Sequence, residues 1–286
     1  MLPLNSCVLQ GAARLSHGPQ RNRARQDAET LLLHILGKNK AWMMAHLDEQ
    51  LPAGEASRYT DLLDRRYRGE PIQYITGQAE FYGLPLRVTP DVLIPRPETE
   101  HLVEKVIELA ARFPNPRIVD VGAGSGAIAI ALAHALPHAT ITAIDVSAPA
   151  LAIARQNAEL NGSFNRIRFL EGDLLAPVAE ERFEIIVSNP PYVPASDRAT
   201  LAVEVRDYEP ALALFAEDDG LEVFCRLIPT AFAALVPGGF IALEIGYGQG
   251  AAIRALLADA KFERIEFVPD LQGILRVACA QKRKSQ

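Results

Sequence analysis

Apolar positions recur along the chain with two different periods. Within 27–36, Ala28, Leu31, Leu32, Ile35 and Leu36 fall at i, i+3, i+4, i+7 and i+8, one face of a helix, and Gly37 is a stop signal. Segments 41–47 and 56–67 predict two more short helices, parted by Pro52 and Gly54. The texture changes at Glu80. Segment 81–88 sets aromatic and β-branched residues around Gly83-Leu84-Pro85 and predicts a β-hairpin. Pro95 and Pro97 stiffen the chain, and Thr99 is the expected cap of a helix over 100–111. From Arg117 onward, β-rich runs at 117–122, 140–145, 166–170, 183–188 and 240–246 alternate with helical patterns at 128–135, 148–160, 221–235 and 250–260. Ser147 suits an N-cap, and Asn161-Gly162 a left-handed stop. Strands that are apolar on both faces predict a mostly parallel sheet covered by helices on each side. The last runs, 264–268 and 274–279, have no helix between them and predict a closing antiparallel hairpin.

Composition adds mainly exclusions. The 286 residues are 49% hydrophobic and 22% charged, which excludes a disordered, collagen-like or coiled-coil chain. At roughly 150 residues per domain, the length predicts about two domains. No stretch approaches the roughly 20 apolar residues of a membrane helix. Lys+Arg is 29 and Asp+Glu is 35, a net charge of -6, so a broad basic surface for nucleic acid is not expected. Cys7, Cys225 and Cys279 are odd in number and widely spaced, without a CxxC pair. They indicate neither a disulfide framework nor a cysteine zinc site, and they fit a reducing compartment. The N-terminus lacks a basic-then-apolar signal pattern, so the expected location is the cytoplasm. His134 and His138 are four apart with no third ligand apparent, so no metal site is expected. Lys282-Arg283-Lys284 reads as a solvated tail.

The first run of the alternating half ends in Val119-Asp120-Val121-Gly122-Ala123-Gly124-Ser125-Gly126, ahead of a helix. Glycines in such a turn let backbone approach a ligand closely, and the helix start offers free N–H groups. Asp145 ends the next run, 25 residues after Asp120, where a carboxylate can hold both hydroxyls of a ribose. The pattern is GxGxG, with Asp120 two residues before the first glycine. An acid there suits a cofactor with a cationic end, such as the ammonium and sulfonium of S-adenosylmethionine. The phosphates of NAD would be repelled. Asp173 and Leu174 follow the third run, placed to meet the adenine amino group and the adenine ring.

The fourth run ends in Asn189-Pro190-Pro191-Tyr192, at the same predicted sheet edge. The Asn189 side-chain oxygen and the Pro190 carbonyl can each accept one N–H of an NH2 group. Consecutive prolines preorganise these acceptors, and Tyr192 offers an aromatic face to a planar group. No strong general base is needed if the nitrogen sheds its proton after its charge develops. The residues point to methylation of a planar exocyclic nitrogen, and by themselves they leave adenine amino and glutamine amide both open.

With these motifs the chain resembles the class I S-adenosylmethionine-dependent methyltransferases with an NPPY motif. More narrowly it is similar to the HemK/PrmC family of release factor glutamine methyltransferases. That likeness rests on Gly69-Glu70-Pro71-Ile72-Gln73-Tyr74-Ile75-Thr76-Gly77, Glu80-Phe81-Tyr82-Gly83-Leu84 and Ile94-Pro95-Arg96-Pro97-Glu98-Thr99-Glu100. It rests also on the glycine loop, Ser188 to Tyr192, and Asp270-Leu271-Gln272-Gly273 with Arg276. The resemblance implies an α/β fold: a Rossmann-like, mostly parallel sheet with an antiparallel last strand, and a small all-helical N-terminal domain joined by a β-hairpin. The implied segments are 1–77 for substrate recognition, 78–98 for hairpin and linker, and 99–286 for methyl transfer. The implied reaction methylates the side-chain amide of the glutamine in the Gly-Gly-Gln motif of class 1 peptide chain release factors, which affects translation termination. Gly122, Ala123, Gly124, Ser125, Gly126, Asp145, Asp173, Leu174 and Asn189 would hold S-adenosylmethionine. Asn189, Pro190, Pro191 and Tyr192 would form the glutamine pocket, with Asn189, Pro190 and Tyr192 as catalytic groups.

Two alternatives stay open on sequence grounds. One is the sister glutamine methyltransferase that acts on a large-subunit ribosomal protein. The other is a DNA adenine-N6 methyltransferase, disfavoured by the acidic balance and by the lack of room for a recognition domain. The expected partner is a release factor, with no stable nucleic acid, no membrane and a monomeric state.

Overall fold

Among the described residues, five helices precede the first strand: α1 (Leu4–Leu15), α2 (Ala24–Leu36), α3 (Lys40–Ala45), α4 (Ala53–Tyr67) and α5 (Ile72–Thr76). The structure is a computed structural model that describes residues 2–217 and 219–284. Met1, Asp218, Ser285 and Gln286 lie outside the described residues, as do the outer limits of the expected segments 1–77 and 99–286. The chain divides into two compact units, Met1–Gly77 with Leu201–Tyr208, and Gln78–Thr200 with Glu209–Gln286.

The first unit is helical around Leu4, Ala28, Leu31, Leu32 and Leu63. Helices α2, α3 and α4 follow the predicted patterns, whereas α1 and α5 were not predicted. Cys7 and Gly11 thin the apolar stripe of α1. Gly11 is selected by packing, since an added Cβ would fall 2.5 Å from the Tyr59 hydroxyl. Buried Arg66 on α4 pairs with Asp27 at 2.6 Å and Glu204 at 2.9 Å, and donates to the Glu70 carbonyl at 2.8 Å. Tyr208 donates to the Arg68 carbonyl at 3.1 Å. Segment Leu201–Tyr208 is thus held to this unit, a placement that no sequence pattern announces.

The second unit opens with the predicted hairpin, β1 (Gln78–Phe81) and β2 (Leu84–Arg87). Helix α6 (Glu100–Ala110) leads to β3 (Arg117–Val121), α7 (Ala127–Ala135), β4 (Thr140–Asp145), α8 (Ala148–Leu160), β5 (Ile167–Glu171) and β6 (Phe183–Ser188). Helix α9 (Glu222–Ala234), β7 (Leu235–Glu244), α10 (Gly250–Asp259), β8 (Phe262–Pro269) and β9 (Leu275–Lys282) complete it. Seven strands form one sheet in the order β8-β9-β7-β6-β3-β4-β5. Strand β9 alone runs opposite to the other six strands, as expected of the last strand, but it inserts between β8 and β7, leaving β8 at the edge. Strand β7 starts at Leu235, ahead of the expected run at 240–246, and the pairing with β6 shifts register between Phe183 and Ile185, with Gly238 at a φ of +83°. Ser147 caps α8 as predicted, accepting from Ala150 at 3.2 Å.

Side-chain alternation sends β3 residues to two cores. Ile118 joins α6 and α7 on one face, and Val119 and Val121 join α9 and α10 on the other. Helix α7 is apolar nearly all round because it is buried on nearly all sides. Among the described residues, no helix is long and apolar enough to cross a membrane.

Candidate active site

A cavity of about 220 Å3 opens at the C-terminal ends of β3, β4, β5 and β6. The β3–α7 turn forms its floor. Gly122, Gly124 and Gly126 have φ of +78°, +54° and +82°, a left-handed region in which L side chains are strained. An added Cβ on Gly122 or Gly124 would meet nothing within 4 Å, so that side of the turn is open. Gly126 differs, because a Cβ there would press on Ala154 of α8 at 3.1 Å. Asp145, at the end of β4, braces the turn: one carboxylate oxygen accepts from the Gly124 amide at 2.7 Å, the other from the Ser147 amide at 2.8 Å. Each oxygen keeps acceptor capacity toward the cavity. Fully buried Asn157 on α8 ties the turn to the hairpin, donating to Ser125 at 2.9 Å and exchanging bonds with the Arg87 amide and carbonyl.

The wall includes Gly122, Gly124, Asp145, Asp173, Leu174, Asn189, Pro190 and Pro191. Ala123, Ser125 and Gly126 lie buried behind the turn. The exposed Asp173 carboxylate is paired with Arg226, which also lines the cavity. Leu174 takes a left-handed φ of +50° and packs partly on the α9 side of the core.

Asp120 is not a cavity charge, contrary to the sequence expectation. Strand alternation turns it with Ile118 toward α7, where it is fully buried and accepts from the Ala129 amide at 3.2 Å. Its other oxygen has no partner among the described residues. Burial, with a smaller push from the Asp145 charge, raises its carboxyl to about 7.

Asn189 follows β6, and its Nδ2 donates to the Thr99 hydroxyl at 3.2 Å. Thr99 in turn donates to Glu244 at 2.6 Å. Glu244 ends β7, is 2% exposed, and also accepts from the Tyr192 hydroxyl at 3.2 Å. The Tyr192 hydroxyl is thereby tied to Glu244, and its phenol is pushed up by burial and by the Glu244 charge. Burial also raises the Glu244 carboxyl, against the pull of its two hydrogen bonds and of Arg276. Gln249 secures the loop, donating to the carbonyls of Tyr192 at 3.1 Å and Gly220 at 3.2 Å.

Thr99 makes no side-chain cap bond to α6, so its expected capping role is replaced by this tertiary one. Sequence reasoning also missed Glu244, although it ends an apolar strand just as Asp145 does. It missed wall residues Val92 and Leu93, in an irregular segment, and Pro210, Leu212 and Ala213, at the cap and on the one-turn helix Ala211–Leu214, neither of which carries a motif. Nearby Glu209 pairs with Arg96 at 2.5 Å, and Asp270 pairs with Arg276 at 3.0 Å.

Residues 8–77 match the PrmC N-terminal domain, and residues 99–206 match the methyltransferase small domain. The chain is 42% identical to a release factor glutamine methyltransferase of Koribacter versatilis, over 91% of this chain and 92% of that one. It is 40% identical to a release factor glutamine methyltransferase of Moorella thermoacetica, over 99% of this chain and 100% of that one. A methyltransferase structure from Pyrococcus furiosus, 21% identical, covers 70% of this chain and 90% of its own at a TM-score of 0.51, a likeness of fold.

Proposed function

The chain belongs to the release factor glutamine methyltransferase family, and we propose that its cavity brings S-adenosylmethionine against the glutamine side chain of the Gly-Gly-Gln motif in class 1 peptide chain release factors. One observation carries this reading: Asn189 and Pro190 line the same cavity as Gly122, Gly124 and Asp145. A methyl donor and an amide acceptor can therefore meet there.

The cradle fits an adenosyl cofactor. Open space beside Gly122 and Gly124 admits a ligand against the backbone. Asp145 is preset by two backbone donors to receive ribose hydroxyls. Leu174 would lie against the adenine, and Asp173 near its amino group. When bound, S-adenosylmethionine supplies an electrophilic methyl group on sulfur.

The chain's own residues do the rest by positioning. The Asn189 side-chain oxygen and the Pro190 carbonyl would each accept one N–H of the glutamine amide. That holds the nitrogen in line with the methyl and stabilises positive charge as it develops. As the N–CH3 bond formed and the S–CH3 bond broke, the nitrogen would shed one proton to water, so no strong base is required in the wall. Residues 1–77, with Leu201–Tyr208, would recognise the body of the release factor, and the enzyme would act as a cytoplasmic monomer.

The test is incubation of the protein with methyl-labelled S-adenosylmethionine and three acceptors: a release factor, a large-subunit ribosomal protein and DNA. Label on the release factor glutamine is the expected result. Label on DNA alone would overturn the reading.

A further inference from the structure

Three side chains from separate parts of the chain meet beside the Asn189 amide, behind the cavity wall. Strands β6 and β7 are parallel neighbours with Ser188 opposite Leu243, so Asn189 and Glu244 emerge side by side at the sheet edge. Thr99 stands between them at the start of α6. We propose that Glu244 and Thr99 are positioning residues that decide which end of the Asn189 amide faces the substrate. The proposal rests on the reading that Asn189 receives the glutamine amide.

Counting protons gives the reason. Both Glu244 carboxyl oxygens act as acceptors in the structure. They take the single Thr99 hydroxyl proton at 2.6 Å and the Tyr192 proton at 3.2 Å. Thr99 then has nothing left to donate and can only accept. The Asn189 atom that faces it at 3.2 Å must be the NH2 group. The Asn189 carbonyl oxygen is thereby left for the cavity, which Asn189 lines.

Without Glu244, the Thr99 proton is free to point at Asn189. The amide would turn over and present its NH2 to the substrate's NH2, a donor facing a donor. The two acceptor oxygens of a buried carboxyl group thus set the direction of a hydrogen-bond chain that ends on Asn189. Tyr192 shares the same carboxylate, so loop and amide are held by one anchor.

The test uses the full-length protein. Thr99→Val removes the acceptor for Asn189, Thr99→Ser keeps it, and Glu244→Met removes the sink for the Thr99 proton. Glu244→Met leaves the Thr99 and Tyr192 hydroxyls without their acceptor, a different cost in stability from that of Thr99→Val, so either variant serves if the other does not fold. We expect kcat to fall on the order of 10- to 100-fold in Thr99→Val and Glu244→Met. The KM for S-adenosylmethionine should stay within about twofold, and Thr99→Ser should recover most of the rate.

The Asn189 side-chain NH2 resonances, read by 15N NMR without any acceptor, should move in Thr99→Val and Glu244→Met and return in Thr99→Ser. Unmoved resonances would overturn the proposal, whatever the enzyme methylates. A wild-type protein inert toward release factors would instead overturn the reading of the site, and the resonances would still judge the positioning chain.

Discussion

Asn189 and Asp145 separate the two demands of the site. Asn189→Ala removes the proposed amide acceptor but leaves the glycine turn and Asp145 in place. Methyl transfer should fall below detection while S-adenosylmethionine affinity is largely kept, as measured by labelled transfer and calorimetry side by side. Asp145→Ala removes the brace on the Gly124 and Ser147 amides and the expected ribose acceptor. Cofactor affinity should drop at least tenfold, and unchanged affinity by calorimetry would refute the role. Asp120 makes a third prediction, in pH. Its carboxyl is raised from the ordinary 3.8 to about 7 by burial. The folded protein therefore holds the proton more tightly than the unfolded chain. Its stabilising effect is full below about 3.8 and is lost as pH rises to about 7. Asp120→Asn cannot ionise. Relative to that variant, the wild-type melting temperature should decline between pH 4 and 7 and level off above. A difference that does not vary with pH would remove Asp120 as the titrating group.

Strand ends and helix starts carry the site, and most of these elements were legible. Strands β4 and β6 and helix α8 have the predicted bounds, because their apolar runs and punctuation agree. Where punctuation misleads, the prediction slips. Strand β7 begins at Leu235 rather than at 240, because Leu235 pairs with Phe183 across a bulge in which Pro237-Gly238-Gly239 keeps its bend, with Gly238 at a φ of +83°. The same holds for Thr99, whose cap-like position conceals a bond to Glu244 across 145 residues. Asn157 acts at this scale too. It sits in the middle of α8 and joins helix, glycine turn and hairpin by hydrogen bonds that are buried or nearly so. Asn157→Ala should cost about 3 kcal/mol, because the backbone groups it satisfies lose their partners. Urea unfolding measures this, and S-adenosylmethionine affinity should fall with it as the turn loosens. A loss under about 0.5 kcal/mol would show that Asn157 does not clamp the turn.

For the molecule as a whole, the chain leaves the sheet-bearing unit after Thr200 and returns to it at Glu209. The intervening Leu201–Tyr208 belongs to the helical unit through Arg66, Glu204 and Tyr208. Arg66→Leu would leave Asp27, which is 1% exposed, with the weaker contact to Arg23 at 3.8 Å in place of its partner at 2.6 Å. We expect a loss of about 3 kcal/mol and faster proteolytic cleavage within 201–208. Both are read by thermal unfolding and by timed digestion of the native protein. An unchanged cleavage pattern would show that Arg66 does not hold this segment.

The sequence by itself determined the helical first unit, the alternating strands and helices, the glycine turn with Asp145, and the Asn189 loop at the same sheet edge. Each is written in residues close together in the chain, through periodicity, punctuation or a short motif. Tertiary structure alone decided that Asp120 turns inward, that Leu201–Tyr208 joins the first unit, and that Thr99 and Glu244 hold Asn189. Those contacts join positions from about 10 to nearly 150 apart. Their chemistry rests on burial and on which side of a strand a residue occupies, and no local pattern records either.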